Sequence, residues 1–150
     1  MIDNNLEDLV WEFKIKAKVL KECMLTRYPN FTQFETLRTR ARQLTLMATG
    51  HTWTLNSMHI KWLAVDWVFD VNGQPSRDNS HGQFYFMQRV ATMCGMMRIA
   101  QEVCHTQDNW VSIKQQMINN STRYIESKDP WEQQRLKQIN DTFRKYWFVG

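Results

Sequence analysis

The sequence predicts a single α+β domain, because helical and strand-like patterns follow one another along a chain of moderate length. The chain has 150 residues and is 43% hydrophobic, which is enough for one compact core. Apolar residues recur at helical spacing near both ends, whereas a run in the middle is rich in Val, Trp and Phe. There is no repeat, linker or low-complexity tract, so we take residues 1–150 as one domain.

The first half of the chain is predicted to alternate between helices and strands. An amphipathic opening helix that ends near Thr26 is predicted from the spacing of Leu6, Leu9, Val10, Phe13, Ala17 and Leu20. The elements predicted after it are a strand over 31–37, a helix over 39–49 that Gly50 ends, a loop over 52–56 and a buried strand over 62–71. Asn72-Gly73 is typical of a tight turn after that strand.

The second half is predicted to be mainly helical. Residues 74–82 are polar and predict a loop, and residues 110–125 fit either a helix or a pair of strands. A long central helix over 84–104 is predicted from one apolar stripe, formed by Phe84, Met87, Val90, Ala91, Cys94, Met97, Ala100 and Val103. A terminal helix over 132–146 would be capped by Asp129 and started by Pro130, with Leu136, Ile139, Phe143 and either Tyr146 or Trp147 facing inward.

Composition excludes some functions and leaves others open. The net charge of +4 is mild and no dense basic run occurs, so a nucleic-acid groove is not indicated. Three cysteines without a CxxC pair predict free thiols in a reducing compartment, and no signal peptide or membrane span is evident, so we expect a cytoplasmic protein. Seven Trp and eight Phe suit either a core of large side chains or an exposed surface for a partner or a glycan.

His59 and Asp66 are the residues that most suggest chemistry. Imidazole and carboxylate are both good zinc ligands, and here one precedes and the other lies within the predicted buried strand. A catalytic zinc ion usually takes three protein ligands and leaves one position for water. These two residues therefore predict a metal site only if a third ligand joins them.

The order of residues around this pair resembles a known family. The matching residues are Glu35, Arg38-Thr39, Ala41-Arg42-Gln43, Gly50, Thr52, Asn56-Ser57, His59, Ala64-Val65-Asp66 and Asn72-Gly73. They resemble the zinc peptidases, including phage endolysins, that cleave L-alanyl-D-glutamate or D-alanyl-D-alanine bonds in cell-wall peptides. The resemblance implies a small antiparallel sheet packed with helices, zinc as cofactor and a peptidoglycan peptide as substrate. It covers about residues 1–110 and leaves a divergent helical tail over 111–150.

The resemblance also implies roles for single residues. His59 and Asp66 correspond to the first two zinc ligands of the family. Arg38 corresponds to the arginine that steadies the substrate and the negative charge that develops on it. Gln43 and Ser57 correspond to polar groups that support the substrate site.

The chain departs from the family pattern in two places. Trp62 stands where the family has glycine, three residues after the first ligand, and we expect its indole to crowd the site. The family ends with Asp and then Pro-His-Phe-Glu, which supply the general base and the third ligand, and no histidine follows His105 here. The nearest equivalent is 129–132, in which Asp129 and Glu132 are candidates for the base. A replacement ligand would come from His51, His81 or His105, of which His81 and His105 lie far enough along the chain.

Three functions follow from these patterns. The first is a degenerate, non-catalytic descendant of the peptidase fold, in which Trp53, Trp62 and Trp67 fill the cleft and the protein binds a macromolecular partner. A phage protein that inhibits a host enzyme or defence complex in the host cytoplasm would suit that description. The second is an active zinc endopeptidase with an unrecognised third ligand, and the third is an unrelated α+β protein with a chance motif.

Overall fold

The computed structural model describes residues 2–52, 57–99 and 102–147, with only the backbone of Trp147. The elements are a 3-10 turn (Leu6–Asp8), α1 (Trp11–Leu25), β1 (Phe31–Glu35), α2 (Arg40–Ala48), β2 (Ala64–Val71), β3 (Gln74–Ser76), α3 (Gln83–Met93), β4 (Met96–Met97), β5 (His105–Asp108), α4 (Ile113–Glu126) and α5 (Pro130–Trp147). The predicted α+β class is confirmed. Residues 53–56, which were predicted to be part of a loop and include Trp53, lie outside the described residues, as do Ala100 and the side chain of Trp147.

The strands form one small antiparallel sheet with β2 at its centre. The order is β1-β2-β5-β4, and β3 also pairs with β2 through a hairpin at Asn72-Gly73. Both turn residues have positive φ, 54° and 78°, as the predicted tight turn requires. In the register of the sheet, Asp66 lies opposite Glu35 of β1 on one side and His105 of β5 on the other. A bulge between Gln33 and Glu35 shifts the register of β1 beside Asp66.

The core lies between one face of this sheet and the helices, where α1 and α3 contact the strands and α5 packs against α1 and α3. Phe13 of α1, Phe84 of α3 and Phe143 of α5 are completely buried. Trp67 is also completely buried, where it stacks on Phe31 and donates from Nε1 to Thr106 Oγ1 at 2.9 Å. Much of the aromatic content is therefore core, which is one of the two alternatives the composition left open.

Some large apolar side chains are exposed at the surface, whereas the cysteines are mostly buried. Trp62 and Trp110 are 48% and 67% exposed, and Val10, predicted to face inward, is 41% exposed. All three cysteines are unpaired, and burial raises the pKa of the Cys23 thiol to about 11. Among the described residues, no helix is long and apolar enough to cross a membrane.

The predicted helix over 84–104 is wrong beyond Met93. Gly95 has φ of +85°, a left-handed conformation that ends the helix and redirects the chain into β4. The apolar stripe continues past this point, although Met97 is exposed in β4 and Val103 lies in the turn before β5, so its period does not reveal the break. The loop predicted over 74–82 is likewise too long, since Gln74–Ser76 pairs with β2 as β3.

The C-terminal part is a helical hairpin. The segment over 110–125, for which a helix and a strand pair were both open, forms α4, and the terminal helix is confirmed as α5. Asn120 of α4 donates to Asn140 Oδ1 of α5 at 3.0 Å and to the Met93 carbonyl at 2.9 Å. These bonds satisfy buried amides and join the hairpin to α3.

Candidate metal centre

Three potential ligands meet on the face of the sheet that α1 does not cover. Asp66 lies in β2, His59 in the turn that precedes β2, and His105 at the first position of β5, directly opposite Asp66. One nitrogen of each imidazole and one carboxylate oxygen all lie within 4.8 Å of one another. The group therefore contains both residues that the sequence singled out, and His105 as the third.

The geometry around Asp66 is tight. His59 Nε2 lies 3.2 Å from Asp66 Oδ2, and His105 Nδ1 lies 3.0 Å from Oδ1. The side chains of His59 and His105 are 2% and 6% exposed, whereas the side chain of Asp66 is 19% exposed. The ligands are thus largely shielded, and the carboxylate is where solvent reaches the group.

The hydrogen bonds of His59 show that a cation fits this group. His59 Nδ1 lies 2.8 Å from the Thr36 carbonyl oxygen, which can only accept, so Nδ1 carries the proton. Nε2, a buried atom without a hydrogen-bond partner, then faces Asp66 Oδ2 at 3.2 Å, an approach that a cation between the two atoms, either a proton or a metal ion, makes favourable. Buried polar atoms are rarely left so, and a second-shell carbonyl on the other ring nitrogen is typical of histidines that bind metals.

Neighbouring groups shift the pKa values of Asp66 and His105 even without a metal. Burial opposes ionisation of Asp66, but the two imidazoles outweigh it and hold the pKa of the carboxyl far below its usual range. Burial also opposes protonation of His105, yet the hydrogen bond and charge of Asp66 raise the pKa of that imidazole above its ordinary value. A proton on His105 Nδ1 thus occupies the place that a metal ion would take.

Arg38 is held beside the carboxylate by an acidic partner. Its guanidinium donates to Glu35 Oε1 at 2.7 Å and to Gln43 Oε1 at 2.8 Å, and lies 3.5 Å from Asp66 Oδ2. Arg42 binds the other oxygen of Glu35, and the two arginines hold the pKa of that carboxyl low despite its burial. Arg38 and Gln43 are therefore near the candidate centre, with Arg38 91% buried.

The turn that carries His59 is fixed at both ends. Ser57 Oγ accepts from the His59 amide at 3.2 Å, and the His59 carbonyl accepts from the Arg38 amide at 3.1 Å. The turn ends at Trp62, whose φ of 63° is strained for a bulky residue. The indole is 48% exposed, so it does not crowd the site as the sequence led us to expect, and glycine would adopt this backbone without strain.

Glu102 is a potential functional residue that the sequence reasoning missed. It begins the turn that leads into His105, with its Oε2 3.8 Å from His105 Nδ1, and its side chain is 41% exposed. A carboxylate three residues before a potential ligand histidine, and close to its ring, is placed to act on a water molecule beside that ligand. The Glu-x-x-His pattern at 102–105 is the signal that was available.

The other predicted site residues lie elsewhere. His81 is exposed in the loop before α3 and is not part of the group. Asp129 caps α5 by accepting from the Trp131 amide at 3.0 Å and pairs with Arg89 at 3.8 Å. Glu132 pairs with Arg123 at 2.9 Å, and hydrogen bonds from Ser127 and Arg123 lower the pKa of its carboxyl. The structure does not bring these acids to the His59–Asp66–His105 group.

Comparison with solved structures yields an informative likeness. The fold is similar to that of the Serratia marcescens L-Ala D-Glu endopeptidase ChiX, with a TM-score of 0.52 and 25% sequence identity. The match covers 69% of this chain and 82% of that one. No family model matches the chain, and no curated protein matches it.

Proposed function

We propose that this protein is a zinc-dependent endopeptidase that cleaves peptidoglycan peptides at the L-alanyl-D-glutamate bond. The observation that carries the proposal is the buried His59–Asp66–His105 group, in which an unpartnered imidazole nitrogen faces a carboxylate. The likeness to an L-Ala D-Glu endopeptidase supports the choice of substrate.

His59, Asp66 and His105 would hold the zinc ion, which makes the three protein ligands of a catalytic site. Zinc in such a site acts as a Lewis acid that polarises a peptide carbonyl and lowers the pKa of water toward neutrality. The partial exposure of Asp66 leaves one side of the group open to solvent and to a substrate.

We assign Glu102 as the general base. Its carboxylate is close to His105 but more exposed than any of the three ligands, so it can reach a water molecule on the open side. It would accept a proton from that water and then deliver a proton to the amine that leaves. Asp129 and Glu132, the bases first considered, are engaged with arginines on the helical surface.

Arg38 is assigned chiefly to orienting Asp66. Glu35 and Gln43 hold its guanidinium 3.5 Å from Oδ2, where it favours the ionised carboxylate that a zinc ion requires. A direct contact with the substrate, which the family resemblance implies for Arg38, stays a prediction, as do substrate contacts by Gln43 and Ser57.

The alternative of a non-catalytic binding protein loses its main argument. That expectation depended on a missing third ligand, and His105, directly opposite Asp66 in the sheet, is the residue that we propose for it. A host protein as partner, a phage origin and a cytoplasmic location remain predictions from the sequence alone.

The proposal is tested by hydrolysis of a defined muropeptide. Zinc-loaded protein should release the peptide that begins with D-glutamate, identified by mass spectrometry, and chelator-treated protein should not. Glu102→Gln should keep its zinc and lose about 100-fold to 10,000-fold in rate. Glu126→Gln, an exposed acid at the end of α4, is the matched control and should be fully active.

Failure of zinc-loaded protein to cleave either muropeptides or intact peptidoglycan would refute the proposed function. Full activity of Glu102→Gln alongside an active wild type would refute only the assignment of the base.

A further inference from the structure

We propose that Gln107 is a positioning residue that determines which nitrogen of His105 faces the metal. The inference rests on the proposed function, because it concerns how the same site holds its ion. Gln107 Oε1 lies 2.9 Å from His105 Nε2, on the side of the ring away from Asp66. The family resemblance assigned no role to this residue.

The placement of Gln107 is rigid. β5 lies between two strands, and within it Gln107 pairs with Ala64 of β2 and with Met97 of β4. Residues two apart in a strand project from the same face, so the side chains of His105 and Gln107 are neighbours by construction. The amide therefore reaches the imidazole from a fixed position in the sheet.

The chemistry of the contact follows from what each atom can do. With its oxygen toward the ring, Gln107 accepts a hydrogen bond from Nε2–H, which leaves Nδ1 as the atom that faces Asp66 Oδ1 at 3.0 Å. The Thr36 carbonyl does the same for His59 from the other side of the group. Both rings are thus directed at the carboxylate by an acceptor behind them, which is how second-shell groups orient metal ligands.

The two acceptors differ in whether a substitution can remove them. The Thr36 acceptor is backbone and is unaffected by substitution, whereas the Gln107 acceptor is a side chain. An amide is also a weaker acceptor than the carboxylate that often occupies such positions, so it makes His105 a less basic ligand than a glutamate would. Gln107 therefore moderates zinc affinity as well as fixing the ring.

The rival explanation is that Gln107 merely fills space beside the ring. The two explanations predict opposite rankings of substitutions. If the acceptor matters, Gln107→Glu should bind zinc at least as tightly as wild type, and Gln107→Leu should bind it more weakly. If only packing matters, leucine should be tolerated and a negative charge at this half-buried position should be harmful.

The experiment measures zinc dissociation constants by competition with a chromophoric chelator. We expect Gln107→Leu to weaken binding by about 10-fold to 100-fold. Gln107→Asp carries the charge on a shorter side chain that cannot keep the bond, so it should bind more weakly than Gln107→Glu. Gln115→Leu, on the exposed side of α4, is the control and should match wild type. Thermal unfolding of each metal-free variant verifies that it is folded.

A second readout is the protonation of the His105 ring by nitrogen NMR in the zinc-loaded wild type, where we expect the proton on Nε2. Wild-type affinity in Gln107→Leu, or weaker binding by Gln107→Glu than by Gln107→Leu, would overturn the inference and leave the proposed function standing. If wild type itself binds no zinc, the proposed function fails and the inference fails with it.

Discussion

The His59–Asp66–His105 group and the charged cluster on α3, α4 and α5 differ in how their charges are satisfied. In the cluster, each acid has its own arginine: Asp129 has Arg89, and Glu132 has Arg123. In the group, one carboxylate faces two imidazole nitrogens, and the remaining ring nitrogens are bound by acceptors behind them. In the cluster the acids are paired with arginines one to one, whereas in the group one carboxylate is shared by two imidazoles and by the Arg38 guanidinium at 3.5 Å.

The two regions also differ in the elements that carry them and in their exposure. The group is carried by paired strands and a turn fixed by backbone hydrogen bonds, and its imidazoles are buried. The cluster lies on helix surfaces, where Arg89, Arg123 and Asp129 are more than half exposed. Exposed ion pairs are common and contribute little, whereas buried acceptors facing each other need a cation.

The largest effect on zinc affinity should come from removing the negative charge of Asp66. Asp66→Asn keeps the size of the side chain and removes its negative charge, so we expect zinc affinity to fall by at least about 100-fold. Competition with a chelator measures this loss. Asp70→Asn, near the exposed end of the same strand, is the matched control and should bind zinc as wild type does.

Wild-type zinc affinity in Asp66→Asn would show that Asp66 is not a zinc ligand. The proposed difference between the two regions would then be wrong.

An intermediate effect on stability and on zinc binding should come from a change in pH. The depressed pKa of Asp66 means that its contribution to stability is present above about pH 3.9 and is lost as pH falls through the folded pKa. The raised pKa of His105 means that its contribution to the metal-free protein is full below about pH 6.5 and is lost as pH rises through the folded pKa. Zinc competes with the proton on His105, so the rise in Tm produced by zinc should be larger at about pH 8 than at about pH 5.5.

Thermal unfolding with and without zinc across this range measures the effect. His81→Ala should give the same profile, because that exposed histidine is outside the group. A zinc-induced shift in Tm that does not change with pH would show that His105 is not a ligand.

The smallest effects on stability and zinc binding should come from substitutions in the charged cluster. We expect Asp129→Ala to cost about 1 kcal/mol, because it removes the acceptor that caps α5. Glu132→Gln should change stability little, since its ion pair is at the surface. Neither change should alter zinc affinity or peptide hydrolysis, and a large loss of hydrolysis in either variant would return these acids to the candidate bases.

Much of the fold could be predicted from the sequence because local patterns determined it. Helical spacing identified α1 and α5, Asn72-Gly73 identified the hairpin, and the apolar run over 62–71 identified β2. The error over 84–104 came from a stripe that stays apolar while the chain changes from α3 to strands. Only the conformation of Gly95 distinguishes the two, and its left-handed φ is not visible in the periodicity.

The candidate site was half predictable for the same reason. His59 and Asp66 are seven residues apart and belong to one pattern, whereas His105 joins them only through the pairing of β5 with β2. With 84–104 predicted as a helix, nothing in the sequence brought His105 to this pair, so it was a candidate third ligand alongside His81, and the general base was sought at 129–132. Strand pairing, which the sequence does not state, is what completes the group.

The most direct test of the central claim is a crystal structure of zinc-loaded protein, with anomalous diffraction collected at the zinc edge. The account predicts one zinc ion per chain, bound by His59 Nε2, an Asp66 carboxylate oxygen and His105 Nδ1. A protein that stays free of zinc at saturating concentration, or a zinc ion bound away from these three side chains, would contradict it.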